Sequence, residues 1–331
     1  MKTNFKFLLV ALVAFSAFSI TSCSKDDPAP TPTPAPQTIA QIAQGNPNLS
    51  ILVEALTKAG LVNTLSSAGT YTVFAPDNAA FTAAGITSDI IADQTTPQQI
   101  AALKNVLLNH VLTTKFTSTQ LTTGYKKTLA VPAANTSGLM SMYIKNSASG
   151  VFCNTLSKVT TPNVDASNGV IHIVNAVIDL PSVYTFIGAD ANLTTLYGAL
   201  TAPDQEPQDF DNLLKGTSSS PFTIFAPINT AFTDYASESG NSTNDLEGSN
   251  LTKVLKYHVR AGQNLTSTAL FNSAGPLETL LGQNITVAVS PTSGLKFVDQ
   301  NMRIAFVAEN YDIQANNGII HQLTKVLKPT L

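Results

Sequence analysis

Tryptophan is absent from the 331-residue chain, cysteine occurs twice, and only 12% of the residues are charged. Each scarcity excludes something. Two cysteines, Cys23 and Cys153, cannot build a disulfide scaffold or a cysteine-rich zinc site. The 18 basic and 21 acidic residues are spread along the chain for a net charge of −3, leaving no basic stripe to neutralise phosphates, so nucleic acid is not an expected partner. There is no HExxH pair, no nucleophile elbow and no phosphate-cradling glycine loop. What the chain does have is 44% hydrophobic residues, enough for two ordinary domains each with its own core.

The N-terminus has the layout of an export signal. Lys2 and Lys6 precede an apolar run from Phe7 to Ile20 that is short for a membrane span. Ile20-Thr21-Ser22-Cys23 resembles a bacterial lipobox, which implies cleavage after Ser22 and lipid attachment at Cys23. The alternative is an ordinary secretory signal whose cysteine later pairs with Cys153. Ser24, Lys25, Asp26 and Asp27 resemble the acidic surface-export signal of Bacteroidota-type lipoproteins, although a solvated charge cluster would read the same. From Pro28 to Pro36 every second residue is proline, which favours a semi-rigid polyproline II stalk. The expected organisation is a signal peptide over 1–22, a lipidated cysteine and stalk over 23–37, and domains over 38–180 and 183–329. The expected location is the outer membrane, lipid-anchored and surface-exposed.

The two domains follow from an internal repeat. Thr70 to Phe81 (TYTVFAPDNAAF) returns as Pro221 to Phe232 (PFTIFAPINTAF), Asn109-His110-Val111-Leu112 as Tyr257-His258-Val259-Arg260, and Asn168-Gly169-Val170-Ile171-His172 as Asn317-Gly318-Ile319-Ile320-His321. Three motifs in one order at nearly constant spacing identify a duplication, with its junction marked by Pro181.

All four histidines lie in these motifs. A metal or catalytic reading needs further ligands, which the sequence does not place beside them, so no metal or cofactor is expected. The apolar residues Ile100, Leu103, Val106, Leu107 and Val111 follow a helical period across 98–112, and His110 lies four residues after Val106 on that face; His258 stands likewise to Val254. Histidines on a core-facing stripe are expected to be buried hydrogen-bonding residues.

The first motif reads as a strand through Phe74 that breaks at Pro76 into a helix, with Asn78 as the cap or corner hydrogen-bonder; Phe225, Pro227 and Asn229 repeat it. In the third motif Asn168-Gly169 and Asn317-Gly318 open a closing strand, the glycine supplying a positive φ if the turn requires one. Ile285 to Ser290 alternates as a half-buried strand, and Gly60 caps a helix over 51–59. Each copy therefore reads as α+β, with helices first and strands after.

Together T-x-F-A-P-x-N-x-A-F, the Y-H dipeptide and N-G-x-I-H resemble the fasciclin-like domain, in two tandem copies. The resemblance implies a β-wedge of two sheets flanked by helices, and a non-catalytic role in cell-surface adhesion to an extracellular protein or polysaccharide. A structural or accessory subunit of an envelope complex, such as a glycan-uptake system, is the alternative, and a metal- or ligand-binding enzyme using the histidine pairs is a third. The chain departs from the family pattern at Asn109, where tyrosine is usual, while Tyr257 keeps it. Asp89-Ile90 and Asp312-Ile313 carry too little information to assign a receptor.

Specificity is expected in two non-repeated stretches. Pro203 to Ser220 holds Asp204, Glu206, Asp209 and Asp211, either a solvated acidic loop or a calcium loop of unfamiliar spacing. Tyr235 to Asn250 is rich in Ser, Asn and Gly and reads as a flexible insertion. Cys153, beside Val151 and Phe152, is expected to be a buried small hydrophobe.

Overall fold

A computed structural model describes residues 35–135, 138–203, 210–216, 218–235, 237–238, 241–290 and 294–331. The signal peptide, Cys23 with Ser24 to Asp27, the stalk before Ala35, and Asp204, Glu206 and Asp209 lie outside the described residues. Residues Pro36–Leu331 form one compact unit containing both repeats. Among the described residues no helix is long and apolar enough to cross a membrane.

The first copy has strands β1 (Tyr71–Pro76), β2 (Val111–Leu112), β3 (Gly124–Lys127), β4 (Ser141–Ser147), β5 (Gly150–Cys153), β6 (Ser157–Ala166) and β7 (Gly169–Val174). They form one seven-stranded sheet in the order β2-β1-β7-β6-β5-β4-β3. The second copy has β8 (Phe222–Pro227), β9 (Val259–Ala261), β10 (Gly275–Glu278), β11 (Asn284–Ser290), β12 (Gly294–Val298), β13 (Ile304–Phe306), β14 (Ile313–Ala315) and β15 (Gly318–Leu323). These divide into two four-stranded sheets, β10-β11-β12-β13 and β14-β15-β8-β9. The difference lies in one strand. In the first copy β6 runs through two register shifts and joins both halves of the wedge, whereas the equivalent stretch of the second copy breaks between β13 and β14.

The first repeat motif supplies the strand buried on both faces. Side chains alternate along a strand, so Val73 and Ala75 pack under helices with Ile39, Leu52, Leu56 and Phe81, while Phe74 faces the wedge with Leu112, Met142, Ile144 and Val174. The second copy repeats this: Phe222, Ile224 and Ala226 face the helices, and Phe225 packs with Tyr257, Ile285, Phe297 and Leu323. Cys153 is fully buried in the wedge core of the first copy, where burial pushes its thiol well above the usual range.

β1 and β7 run parallel and in register, Tyr71 opposite Gly169 and Phe74 opposite His172, as do β8 and β15. This pairing explains why a glycine stands at the same place in both copies, and it corrects the expectation of a positive φ. Neither Gly169 nor Gly318 is among the positive-φ residues. A Cβ at Gly169 would instead stand 2.2 Å from the carbonyl oxygen of Tyr71, and one at Gly318 would stand 2.4 Å from that of Phe222. Close approach of two backbones demands glycine here.

The helix expected across 98–112 is shorter, Pro97–Asn109, with a Thr96 capping box at its start and His110 at its C-cap. Val111 and Leu112 have already turned into β2. Ser50–Lys58 is likewise helical, and Gly60 follows it at φ 67° as a left-handed terminator.

The two copies are joined by packing as well as by chain. Tyr125 and Tyr143 of the first copy contact the helix-side core of the second, Tyr125 meeting Phe186 edge-on at 5.4 Å between ring centroids. The Tyr125 hydroxyl donates to Asp190 Oδ2 at 2.9 Å, and Gln322 Nε2 donates to the same oxygen at 2.7 Å. Gln314 N donates to Ser141 Oγ at 3.1 Å, and Ala134 N to the carbonyl of Asn316 at 2.9 Å.

Candidate functional site

The repeated polar residues form the first candidate, and each is occupied by backbone. His110 donates from Nδ1 to the carbonyl of Val106 at 2.8 Å and accepts the Ile178 N–H on Nε2 at 2.9 Å, a tautomer set by these partners. His258 does the same with Val254 at 2.8 Å and Leu327 at 2.9 Å. Burial lowers both to a pKa of about 4, with the Val106 and Val254 carbonyls pulling the other way. His172 reaches the carbonyl of Phe116 through Nε2 at 2.9 Å and the Asn163 N–H through Nδ1 at 3.2 Å. His321 bridges the Leu265 carbonyl at 2.8 Å and the Asp312 N–H at 3.5 Å. Asn163 and Asp312 both have positive φ, at 61° and 51°. The second histidine of each copy thus holds the irregular residue at which the strand before the closing strand bends.

No two of these histidines share a hydrogen-bond partner, and each lies at most 3% exposed. A ring whose nitrogens are both committed to backbone has no lone pair for a metal and no free proton for transfer. Among the described residues no three His, Cys, Asp or Glu side chains gather as a metal site.

Asn168 Oδ1 accepts the Ile39 N–H at 2.9 Å, and its Nδ2 donates to the carbonyls of Leu65 and Ser67, both at 2.8 Å. Asn317 does the same with Val183 at 2.9 Å, Leu214 at 2.8 Å and Gly216 at 3.0 Å. Each therefore ties the first helix of its domain to the closing strand. Asn78 accepts the Ile51 N–H at 3.1 Å and donates to the Pro47 carbonyl at 3.0 Å; Asn229 accepts from Thr195 N at 2.9 Å and donates to Ala191 O at 2.8 Å. The asparagine is the corner hydrogen-bonder, while the helix cap of the first copy is Asp77, which accepts from Ala80 N at 2.7 Å. Thr72 and Thr223 belong to the same network and were not singled out by sequence. Thr72 Oγ1 donates to the Thr114 carbonyl at 2.7 Å and accepts from Phe116 N at 2.8 Å, and Thr223 repeats this with Gln263 at 2.8 Å and Leu265 at 2.9 Å. The signal was available: threonine is the one polar residue inside an otherwise apolar strand motif in both copies.

The copies differ at the residue before the histidine. Tyr257 reaches across the wedge, its hydroxyl donating to the Asn284 carbonyl at 2.7 Å. The shorter Asn109 donates to the carbonyls of Ile178 at 3.3 Å and Asp179 at 3.0 Å, leaving its buried Oδ1 without a partner.

Described residues of the two non-repeated stretches pair with other side chains. Tyr235 donates to Asp245 at 3.1 Å, Lys328 to Asp245 at 2.7 Å and Lys325 to Glu238 at 2.6 Å, and Arg303 pairs with Glu238 while lying over the Tyr235 ring. Burial raises the carboxyl pKa of Glu238, but Lys325 and Arg303 outweigh it and hold the group below its usual value. Asp211 lies in helix Phe210–Lys215 and pairs with Lys215 at 2.5 Å. Asp312 accepts from Ser267 N at 2.7 Å and Ile313 is buried, so this Asp-Ile pair is part of the fold; Ile90 is exposed.

Among the described residues a groove of about 450 Å³ lies open on the second copy, between helix Ser267–Asn272, β12 and the segment before β14. Leu295 and Val307 line it, Ser267 and Thr268 add hydroxyls, and Phe271 and Tyr311 flank it at 53% and 51% exposure. Two large aromatic side chains kept in water beside one groove are the pattern of a contact surface. The first copy has only a turn, 118–120, where helix Ser267–Asn272 stands.

Residues 47–181 and 191–329 each match the Fasciclin domain model. The chain is similar to Protein sll1483 of Synechocystis, with 35% identity over 146 residues covering 44% of this chain and 75% of that protein. It is similar to a fasciclin-like arabinogalactan protein of Arthroderma benhamiae, 28% identical over 53% of this chain and 37% of the relative, and to human periostin, 25% identical over 79% and 28%. It therefore spans well under half the length of these last two. A solved FAS1 domain pair from the insect cell adhesion molecule fasciclin I shares the fold, with a TM-score of 0.52 at 17% identity over 85% of this chain and 96% of that one. Fasciclin domains occur in cell-adhesion proteins, and with both halves of the compact unit matched, this chain belongs to the fasciclin domain family.

Proposed function

We propose that the protein is a lipid-anchored lipoprotein of the outer membrane, displayed on the cell surface, whose two fasciclin domains bind an extracellular protein or polysaccharide without catalysis. Cys23 carries the lipid, Ser24 to Asp27 direct export, and the alternating prolines hold the domains away from the bilayer. More than one acyl chain is needed for stable retention, since a single chain binds membranes only marginally.

The observation that carries the binding reading is the contrast between closed and open chemistry. Each motif histidine has both nitrogens on backbone groups, whereas Phe271 and Tyr311 stand half in water around a groove on a firmly packed scaffold. Aromatic anchors on rigid elements supply binding energy at low entropic cost. The test is to immobilise residues 36–331 and screen extracellular-matrix proteins and polysaccharides. Saturable binding that weakens in a Phe271→Ser, Tyr311→Ser double variant is expected. Capture of one envelope protein partner with no binding to cells, matrix or glycans would replace adhesion by an accessory role in an envelope complex.

A further inference from the structure

On the other side of helix Ser267–Asn272 lies a second pocket of about 430 Å³, bounded by β9 and the β10-β11 hairpin. Its floor includes Leu270 and Val287, both buried, and its rim includes Gln263, Ser273 and Asn284, all exposed. Arg260 stands at the rim with a side chain 24% exposed.

The repeat shows that the arginine is not required by the fold. Arg260 lies opposite Thr223 in the β8-β9 ladder, as Leu112 lies opposite Thr72 in β1-β2. Leu112 is fully buried in the wedge core. The second copy has thus replaced a core leucine by a guanidinium turned toward a cavity. Its Nε donates to Gln263 Oε1 at 3.3 Å and its Nη1 to the Glu278 carbonyl at 2.9 Å. The Glu278 carboxylate, on an exposed side chain, lies 3.7 Å from Nη1. Nη2, with two N–H groups, has no protein acceptor among the described residues.

We propose that this pocket binds an acidic saccharide, with the carboxylate of a uronic acid unit on Arg260 Nη2. A sugar ring has a hydroxyl-bearing edge and an apolar C–H face, and the pocket offers the complement of both: amide and hydroxyl groups on the rim, aliphatic side chains on the floor. The volume suits one or two rings, within the usual range for small-ligand sites. A hydrocarbon ligand would cover the Ser273 hydroxyl and the Asn284 amide without offering either a hydrogen bond. A carboxylate meets the two N–H groups of Nη2, which Glu278 on the Nη1 side does not reach, in a charge-assisted hydrogen bond stronger than the one a neutral hydroxyl would accept.

This inference rests on the polysaccharide branch of the proposed function, and the test separates the two. Calorimetric titration of residues 36–331 with a uronic acid trisaccharide and with its carboxyl-reduced neutral counterpart should show at least tenfold tighter binding of the acid, weakening as salt rises. Arg260→Leu, which installs the residue of the first copy, should remove that preference, and Arg260→Lys should retain part of it. Ser273→Phe, which fills the pocket from an exposed position, should abolish binding of both sugars and keeps the test decisive if Arg260→Leu does not fold. Equal affinity for the acid and its reduced form, undiminished binding by Arg260→Leu, or no binding of the acid by the wild type overturns the assignment. None of these results bears on whether the Phe271 and Tyr311 groove mediates attachment.

Discussion

His258 Nε2 accepts the backbone N–H of Leu327 at 2.9 Å, pinning the last segment of the chain to the end of helix Gly248–Tyr257. The bond requires a neutral ring. Protonation would turn the acceptor into a second donor and place a charge in a fully buried site, which is why burial drives the pKa to about 4. His110 and Ile178 form the same bond in the first copy.

Acid should therefore weaken both domains in a defined window. The folded-state pKa lies below the unfolded value near 6.5, so the stabilisation is complete above that value and is lost as pH falls toward about 4. Each histidine contributes a slope of about 1.4 kcal/mol per pH unit across the window. Urea unfolding from pH 7 to 4 should show the midpoint falling, and a flat profile across that range would contradict the assigned roles.

Substituting the closing-strand glycines should be far costlier than substituting a turn glycine. Gly169→Ala and Gly318→Ala each force a methyl group against a partner-strand carbonyl, with an expected loss of about 3 kcal/mol or more. Gly60→Ala meets nothing within 4 Å and bears only the left-handed backbone penalty, about 1 kcal/mol. Denaturant midpoints of the three variants rank the effects directly.

The junction between copies makes a third prediction. Asp190 is buried and accepts Tyr125 Oη and Gln322 Nε2 together with Asn192 N. Tyr125→Phe should cost about 1 to 2 kcal/mol, because the carboxylate keeps its other donors; Asp190→Ala should cost more, because it orphans donors from both copies. Calorimetry should show one transition in the wild type and two in Asp190→Ala.

Much of this was legible in the sequence for a physical reason. A parallel central strand buried on both faces needs an apolar run, a breaking proline and a glycine on its partner, and each leaves a mark on residue identity. The mark names the residue more reliably than its role. The Asn-Gly dipeptide suggests a φ requirement at Gly169 when the cause is the Tyr71 carbonyl, and the apolar period before His110 runs on into β2 because Val111 fits either pattern. The cations that hold Glu238 and Asp245, namely Arg303, Lys325 and Lys328, lie far along the chain and leave no local mark around those two carboxylates. Long-range pairs such as Tyr125 with Asp190 leave no periodic trace, and neither does the exposure of Phe271, whose type alone suggests burial.

The anchor is tested apart from the fold. Cys23→Ala should move the protein from the membrane to the soluble fraction. Replacing Lys25, Asp26 and Asp27 should protect it from external protease while it stays membrane-bound. Membrane retention of Cys23→Ala would contradict lipid attachment.

The central claim, attachment through an open aromatic groove on a non-catalytic scaffold, meets its most direct test in adhesion of cells displaying the full-length protein to a ligand-coated surface under shear. The Phe271→Ser, Tyr311→Ser double variant, displayed at equal density and with an unchanged melting temperature, should reduce retained cells at least tenfold, as expected when two anchors are lost. Adhesion undiminished by the double variant would contradict the account.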